Sequence, residues 1–197
     1  MREGWQPTLY FYNPNIQPQE EYVKRLETLE SIAQRLRLSL KIGAYDSELW
    51  EEQVAVWGGP YPCIADSPNQ DVLLDLRMKR CSACYKLRFK ALAVCASELK
   101  ISYIDTTLSI SPYQFTQAVQ ESLQASAAEQ GITALTSDWR ASYNQSLAAA
   151  RRLNLYRQNY CGCRFSRQEA ELERSARRAG KAARLPKTQT GRDSSEN

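Results

Sequence analysis

The alternation of apolar and polar positions predicts strands and helices in turn along the first two thirds of the chain. Thr8 to Tyr12 (TLYFY) is β-branched and aromatic, and Asn13-Pro14-Asn15 stops it, which predicts a short buried strand ending in a tight loop. From Glu20 to Leu38, Val23, Leu26, Leu29, Ile32 and Leu36 recur at three- and four-residue spacing, the stripe of an amphipathic helix. Ser39 to Ala44 reads as a second strand. Asp46 or Ser47 can cap a helix running towards Trp57, where Gly58-Gly59-Pro60 breaks it.

Gly58 to Asp71 is rich in Gly, Pro, Asn and Asp and reads as a loop. A helix is expected from Cys84 to Leu99 and a strand from Ile101 to Thr107. Ser111-Pro112 is expected to start a helix that Gly131 closes in a left-handed conformation. Ile132 to Leu135 is a fourth strand, and Ser142 to Leu153 and Arg167 to Ala179 are the last helices. Strands separated by helices imply parallel pairing, hence a three-layer α/β sandwich with a mostly parallel, Rossmann-like sheet. Residues 1–179 form one domain on this reading, and 180–197 a disordered polar and basic tail. Ligands belong at the carboxyl ends of the strands, where Asn13, Asn15, Tyr45, Ser109 and Ser111 form a rim.

Composition narrows the chemistry. No apolar run approaches the ~20 residues that span a bilayer, and the N-terminus lacks a secretory h-region, so a soluble cytoplasmic protein is expected. The 197 residues include no histidine, which removes Ser-His-Asp and Cys-His catalysis and every imidazole metal site. The formal charge is +4. Arg167 to Asn197 holds eight basic and five acidic residues and so supplies +3 of it, which permits a nucleic-acid partner and equally a solvated tail.

Cysteine usage is the most specific signal. Cys81-Ser-Ala-Cys84 is expected where a loop enters a helix, so that backbone N–H groups and the helix dipole favour thiolate. In Cys161-Gly-Cys163, Gly162 lets the backbone bend so that two sulfurs point at one centre. Four thiolates suffice for a tetrahedral zinc or an iron–sulfur cluster. Two chance surface pairs, or a redox dithiol beside a bystander pair, are the plainer alternatives. Cys95, on an apolar helical face, reads as a small buried hydrophobe, and Cys63 as an ordinary loop residue.

The strings FYNPNI (11–16), EYVKRLE (21–27), AYD (44–46), RCSACYKLR (80–88), TTLSISPYQ (106–114), SDWR (137–140) and LYRQNYCGCRFS (155–166) together resemble the cobalamin-independent epoxyqueuosine reductases, the QueH family. The likeness runs from Trp5 to Ser166. It implies reduction of epoxyqueuosine to queuosine in the tRNA anticodon loop, with an iron–sulfur cluster, 4Fe-4S in type, and an adjacent iron or zinc ion. The family's CxxC falls on Cys81 and Cys84 and its CGC on Cys161 and Cys163, the expected metal ligands. The family also carries a cysteine pair near its N-terminus that has no counterpart here. Met1 aligns after the family's first strand and helix, so about 30 to 40 residues are expected to be missing.

With histidine absent, Tyr12, Tyr85 and Tyr156 are the candidate catalytic proton donors and Tyr160 a further one. Tyr156, Arg157 and Gln158 are expected at the substrate because they precede the CGC pair, and Asn13, Asn15, Ser109, Ser111 and Gln114 offer neutral hydrogen bonds. Arg80, Lys86, Arg88, Arg151 and Arg152 are candidate RNA-facing rim residues. The competing class is a non-enzymatic, zinc-stapled α/β protein that binds RNA. A nucleotide-dependent ligase is disfavoured by the lack of a glycine-rich phosphate loop.

Overall fold

The computed structural model describes residues 4–58 and 70–184. Strand β1 (Thr8–Phe11) leads through helix α1 (Gln19–Leu36) to β2 (Ser39–Ile42), and the two strands pair in parallel with Thr8 opposite Ser39 and Phe11 opposite Ile42. The expected apolar stripe of α1 is buried only in part, because Leu26 and Leu29 face the core while Val23 and Leu36 are exposed. Tyr22, Leu26 and Leu29 pack with Phe11, Ile16, Leu40 and Tyr45 into a small core. Helix α2 (Ser47–Gln53) is capped as expected, the Asp46 carboxylate accepting from the Leu49 N–H at 2.8 Å. A 3-10 turn (Ala55–Trp57) follows.

Helix α3 (Gln70–Glu98) departs most from expectation. It begins fourteen residues before Cys84, and at 1.5 Å per residue it is roughly 43 Å long. The segment between Asp71 and Arg80 contains Leu, Met, Arg and Lys and no Gly or Pro, so nothing in it stops a helix from starting early. The C-terminal half of α3 packs on β3 (Tyr103–Ile104) and α4 (Thr116–Glu129), and Tyr85, Phe89, Ala93, Ala96, Ile104, Val119, Leu123 and Ala127 form the largest core.

Ser111-Pro112 does not open α4. Thr106 caps a 3-10 turn (Thr107–Ile110), its hydroxyl accepting from the Leu108 N–H, and α4 starts only after Phe115 has been packed against the core. Gly131, at φ +65°, ends α4 as expected, with the Ile132 N–H reaching the Ala127 carbonyl at 2.9 Å. Strand β4 (Thr133–Ala134) pairs in parallel with β3. Helices α5 (Tyr143–Arg152) and α6 (Arg164–Arg184) complete the order.

The fold is thus mixed α/β, and among the described residues every strand pairing is parallel. The described strands form two separate pairs, β1-β2 and β3-β4, rather than one continuous sheet. Helix α6 runs five residues past the expected boundary at Ala179, and residues 185–197 lie outside the described residues. Among the described residues, no helix is long and apolar enough to cross a membrane.

Candidate functional site

Cys81 and Cys84 lie about three turns inside α3, not at its start. The helix dipole, which fades within the first turn, therefore does not reach them. The positive charge beside them comes instead from the same helix: Arg80 opposes the upward push on the Cys81 thiol, and Arg88 does so for Cys84. Burial dominates both sites. It raises Cys84 to about 11, and it raises Cys81 as well, helped by the neighbouring Cys161.

A helix N-terminus does serve a cysteine, but that cysteine is Cys163. It immediately precedes α6, and its sulfur accepts the Ser166 backbone N–H at 3.4 Å and lies 3.5 Å from the Ser166 hydroxyl. Gly162 makes this approach possible. It adopts φ +147°, and a Cβ there would stand 2.7 Å from Asn15 Nδ2 and 3.0 Å from Ile16 Cγ1. The Gly162 carbonyl accepts from the Gln17 N–H at 2.9 Å, so the CGC loop is stitched to the chain leaving β1.

The two cysteine pairs meet. Cys84 and Cys163 share one apolar cluster with Trp50, Val54 and Phe165, and negative charge on Cys161 or Cys163 disfavours ionisation of Cys81 and Cys84. Three of the sulfurs face hydrogen-bond donors: Trp50 Nε1 reaches Cys84 at 3.4 Å, Gln114 Nε2 reaches Cys161 at 3.7 Å, and Ser166 serves Cys163. Donors aimed at sulfur suit thiolates bound to a metal centre better than neutral thiols. Among the described residues, however, no group of three or more Cys, Asp or Glu side chains is arranged to hold a single metal ion. Loading the site must also release protons from thiols that burial keeps protonated.

The remaining candidates divide by position. Tyr85 is buried and donates to Gln114 Oε1 at 2.6 Å, so a hydrogen-bonded chain runs Tyr85–Gln114–Cys161; burial keeps this phenol strongly protonated. Tyr12 is half-buried against Tyr10, and burial, then the Asp46 charge, raises its pKa. Asn13 and the Tyr12 carbonyl both accept from Arg88. Asn15 is 2% exposed, and its Oδ1 has no partner among the described residues. Ser109 is buried with its hydroxyl on the Thr106 carbonyl, and Ser111 accepts from the Tyr113 N–H. The Tyr45 hydroxyl donates to the Ile16 carbonyl. Cys95 lies farther along α3 beside Glu98, Lys41 and Tyr10, outside the cysteine cluster. Cys63 lies outside the described residues.

Tyr156 and Gln158 are both engaged with α1. The Tyr156 hydroxyl donates to Glu21 Oε2 at 2.7 Å, and Gln158 accepts from Arg25 at 2.5 Å. Glu21 and Arg25 are a buried pair that pattern reading passed over as a charged helix face. Arg25 also donates to the Cys161 carbonyl at 2.8 Å and the Tyr160 carbonyl at 3.1 Å, and the Tyr160 hydroxyl donates to the Gln17 carbonyl. Arg157, Lys86, Arg151 and Arg152 are exposed. Arg80 is not a rim residue: it is 5% exposed and bonded to Glu169 at 2.8 Å.

The chain is similar to known proteins of one family. The profile of the family described as "Epoxyqueuosine reductase QueH" matches residues 1–169. A protein of that name from Thermotoga maritima is 30% identical over 174 residues, covering 86% of this chain and 85% of that one. One from Dehalococcoides mccartyi is 32% identical over 167 residues (85% and 82%). One from Helicobacter pylori is 31% identical over 164 residues (80% and 41%).

Proposed function

The chain belongs to the epoxyqueuosine reductase QueH family, and from that membership we propose that it removes the epoxide oxygen of epoxyqueuosine in tRNA, leaving queuosine. The reaction consumes two electrons and two protons and releases the oxygen as water. Apart from cysteine dithiols, protein side chains do not supply electrons reversibly. Cys81, Cys84, Cys161 and Cys163 would hold a 4Fe-4S cluster, which when bound would supply the electrons, with an adjacent iron or zinc ion as Lewis acid for the epoxide oxygen.

The observation that carries the reading is that one cysteine of each pair, Cys84 and Cys163, is buried in a shared cluster, with N–H donors on three of the four sulfurs. Four cysteines suit either centre: a tetrahedral zinc ion takes all four, and a 4Fe-4S cluster takes one for each iron.

The polypeptide's tasks are to hold the base, exclude water and deliver protons. Tyr85, which donates to Gln114, is the proposed proton donor to the departing oxygen, with Tyr12 and Tyr156 as further neutral phenol donors. Asn13, Asn15, Ser109, Ser111 and Gln114 offer uncharged hydrogen bonds to the cyclopentene ring. Arg157 and the exposed Lys86, Arg151 and Arg152 suit phosphates of an anticodon loop whose base is splayed into the site. A tRNA substrate puts the reaction in the cytoplasm, with electrons entering from a separate donor protein. The two parallel strand pairs, each closed through a crossover helix, support a doubly wound, three-layer arrangement.

The test is anaerobic purification followed by iron, sulfide and zinc analysis and assay of epoxyqueuosine loss from tRNA with dithionite. Iron with acid-labile sulfide and disappearance of the epoxide are expected. Stoichiometric zinc without sulfide, and an untouched epoxide, would overturn the proposal in favour of the RNA-binding staple.

A further inference from the structure

Arg80 is a buried cation that the reaction as described does not use. Its side chain is 6% exposed, Nη2 bonds Glu169 at 2.8 Å, and the guanidinium lies 4.5 Å over the Phe165 ring. Its Nε is buried and has no hydrogen-bond partner among the described residues. Leaving a guanidinium N–H unmet in the interior is costly unless an acceptor belongs beside it. The groups that sense the Arg80 charge are Cys163 and Cys81, one from each cysteine pair.

The charge count around Arg80 is also uneven. Glu169, itself 14% exposed, lies 3.8 Å from Arg77 as well, so two arginines share one carboxylate and the trio carries a net positive charge next to the sulfurs. A four-thiolate site collects negative charge and gains one more with each electron, and a fixed buried cation is the direct means of offsetting it.

We propose that Arg80 is a positioning residue for charge: held by Glu169 and by Phe165, which itself packs with Cys84 and Cys163, it sets the reduction potential of the centre bound by the four cysteines. This rests on the cluster reading above. Removing Arg80 makes the reduced centre harder to form, while neutralising Glu169 leaves the cation less balanced and makes reduction easier. The two shifts have opposite signs. Damage to packing gives no such pattern, because both changes break the same ion pair.

The experiment uses the full chain reconstituted anaerobically with iron and sulfide, as wild type, Arg80→Met, Arg80→Lys and Glu169→Gln. Iron and sulfide content is measured first, and then each protein is titrated with dithionite, following the one-electron signal by electron paramagnetic resonance. The midpoint of Arg80→Met is expected to fall by about tenfold in the reduction equilibrium, roughly 59 mV for one electron, that of Glu169→Gln to rise, and that of Arg80→Lys to stay within about threefold of wild type. Wild-type loading with all midpoints unchanged, or with Arg80→Met and Glu169→Gln shifted the same way, overturns this inference alone. A wild type that takes up no iron and sulfide overturns the cluster reading and this inference together. If Arg80→Met does not fold, the sign of the Glu169→Gln shift decides.

Discussion

Replacing Arg25 by Met tests whether the CGC loop is held by α1. The Arg25 guanidinium makes four hydrogen bonds, to Glu21, Gln158 and the carbonyls of Tyr160 and Cys161, and it stacks on Tyr160 at 5.2 Å. Its side chain and that of Glu21 are 9% and 11% exposed, so most of this network is out of water. Methionine matches the stem and removes every donor. Glu21 is then left as a buried carboxylate whose remaining partner is the Tyr156 hydroxyl, and two loop carbonyls lose their donor. Breaking a buried pair from one side costs about 3–5 kcal/mol.

That is a large share of the ~5–15 kcal/mol typical of a domain, so the urea midpoint should drop well outside error at unchanged slope. Amide exchange should accelerate selectively across residues 155–163, because those carbonyls are the ones released. The exposed pair Arg167–Glu171 is the control, and its loss should cost less than about 1 kcal/mol. An Arg25→Met protein no less stable than Arg167→Ala, with unchanged exchange in the loop, would refute the assignment.

Three further outcomes are expected. Gly162→Ala places a Cβ against Asn15 and Ile16 at a φ only glycine tolerates, so it should cost about 1–3 kcal/mol and reduce iron uptake, read by thermal melting and metal analysis. Cys161→Ala and Cys84→Ala should each lower bound iron and sulfide, whereas Cys95→Ala should load like wild type; equal loss in all three would show that the metal is not held at this cluster. Glu51 has a lowered pKa: burial alone would raise it, but hydrogen bonds from Arg164 and Gln17 outweigh that. A depressed folded value means its contribution is present above the unfolded pKa and is lost as pH falls through the folded one. The gap in stability between wild type and Glu51→Gln should therefore close below roughly pH 4, and a pH-independent gap would contradict the ion pair.

Much of the local structure was legible in the residues. The stripe of α1, the Asp46 cap and the Gly131 stop rest on interactions among residues a few positions apart, which a pattern exposes directly. The CGC pair was legible too, because only glycine takes the backbone angle that lets Cys163 cap α6. The start of α3 differs from the helix entrance expected at the CxxC, and the residues before it, good helix formers, carry that signal in the sequence.

Other features had no local signal. Glu21 and Arg25 at four-residue spacing look like any solvated helix face; their burial comes from a loop more than 130 positions away. Trp50 donating to Cys84 and Arg80 sinking beneath Phe165 depend likewise on segments that meet only when helices α2, α3 and α6 pack. The sequence by itself determined the existence of the helices, though not the starts of α3 and α4, together with the Asp46 cap, the Gly131 stop and the four thiols, since these follow from short-range sterics and residue chemistry. Tertiary structure alone decided which charges are buried and which donors face each sulfur, since burial and electrostatics act through space between residues remote in the chain.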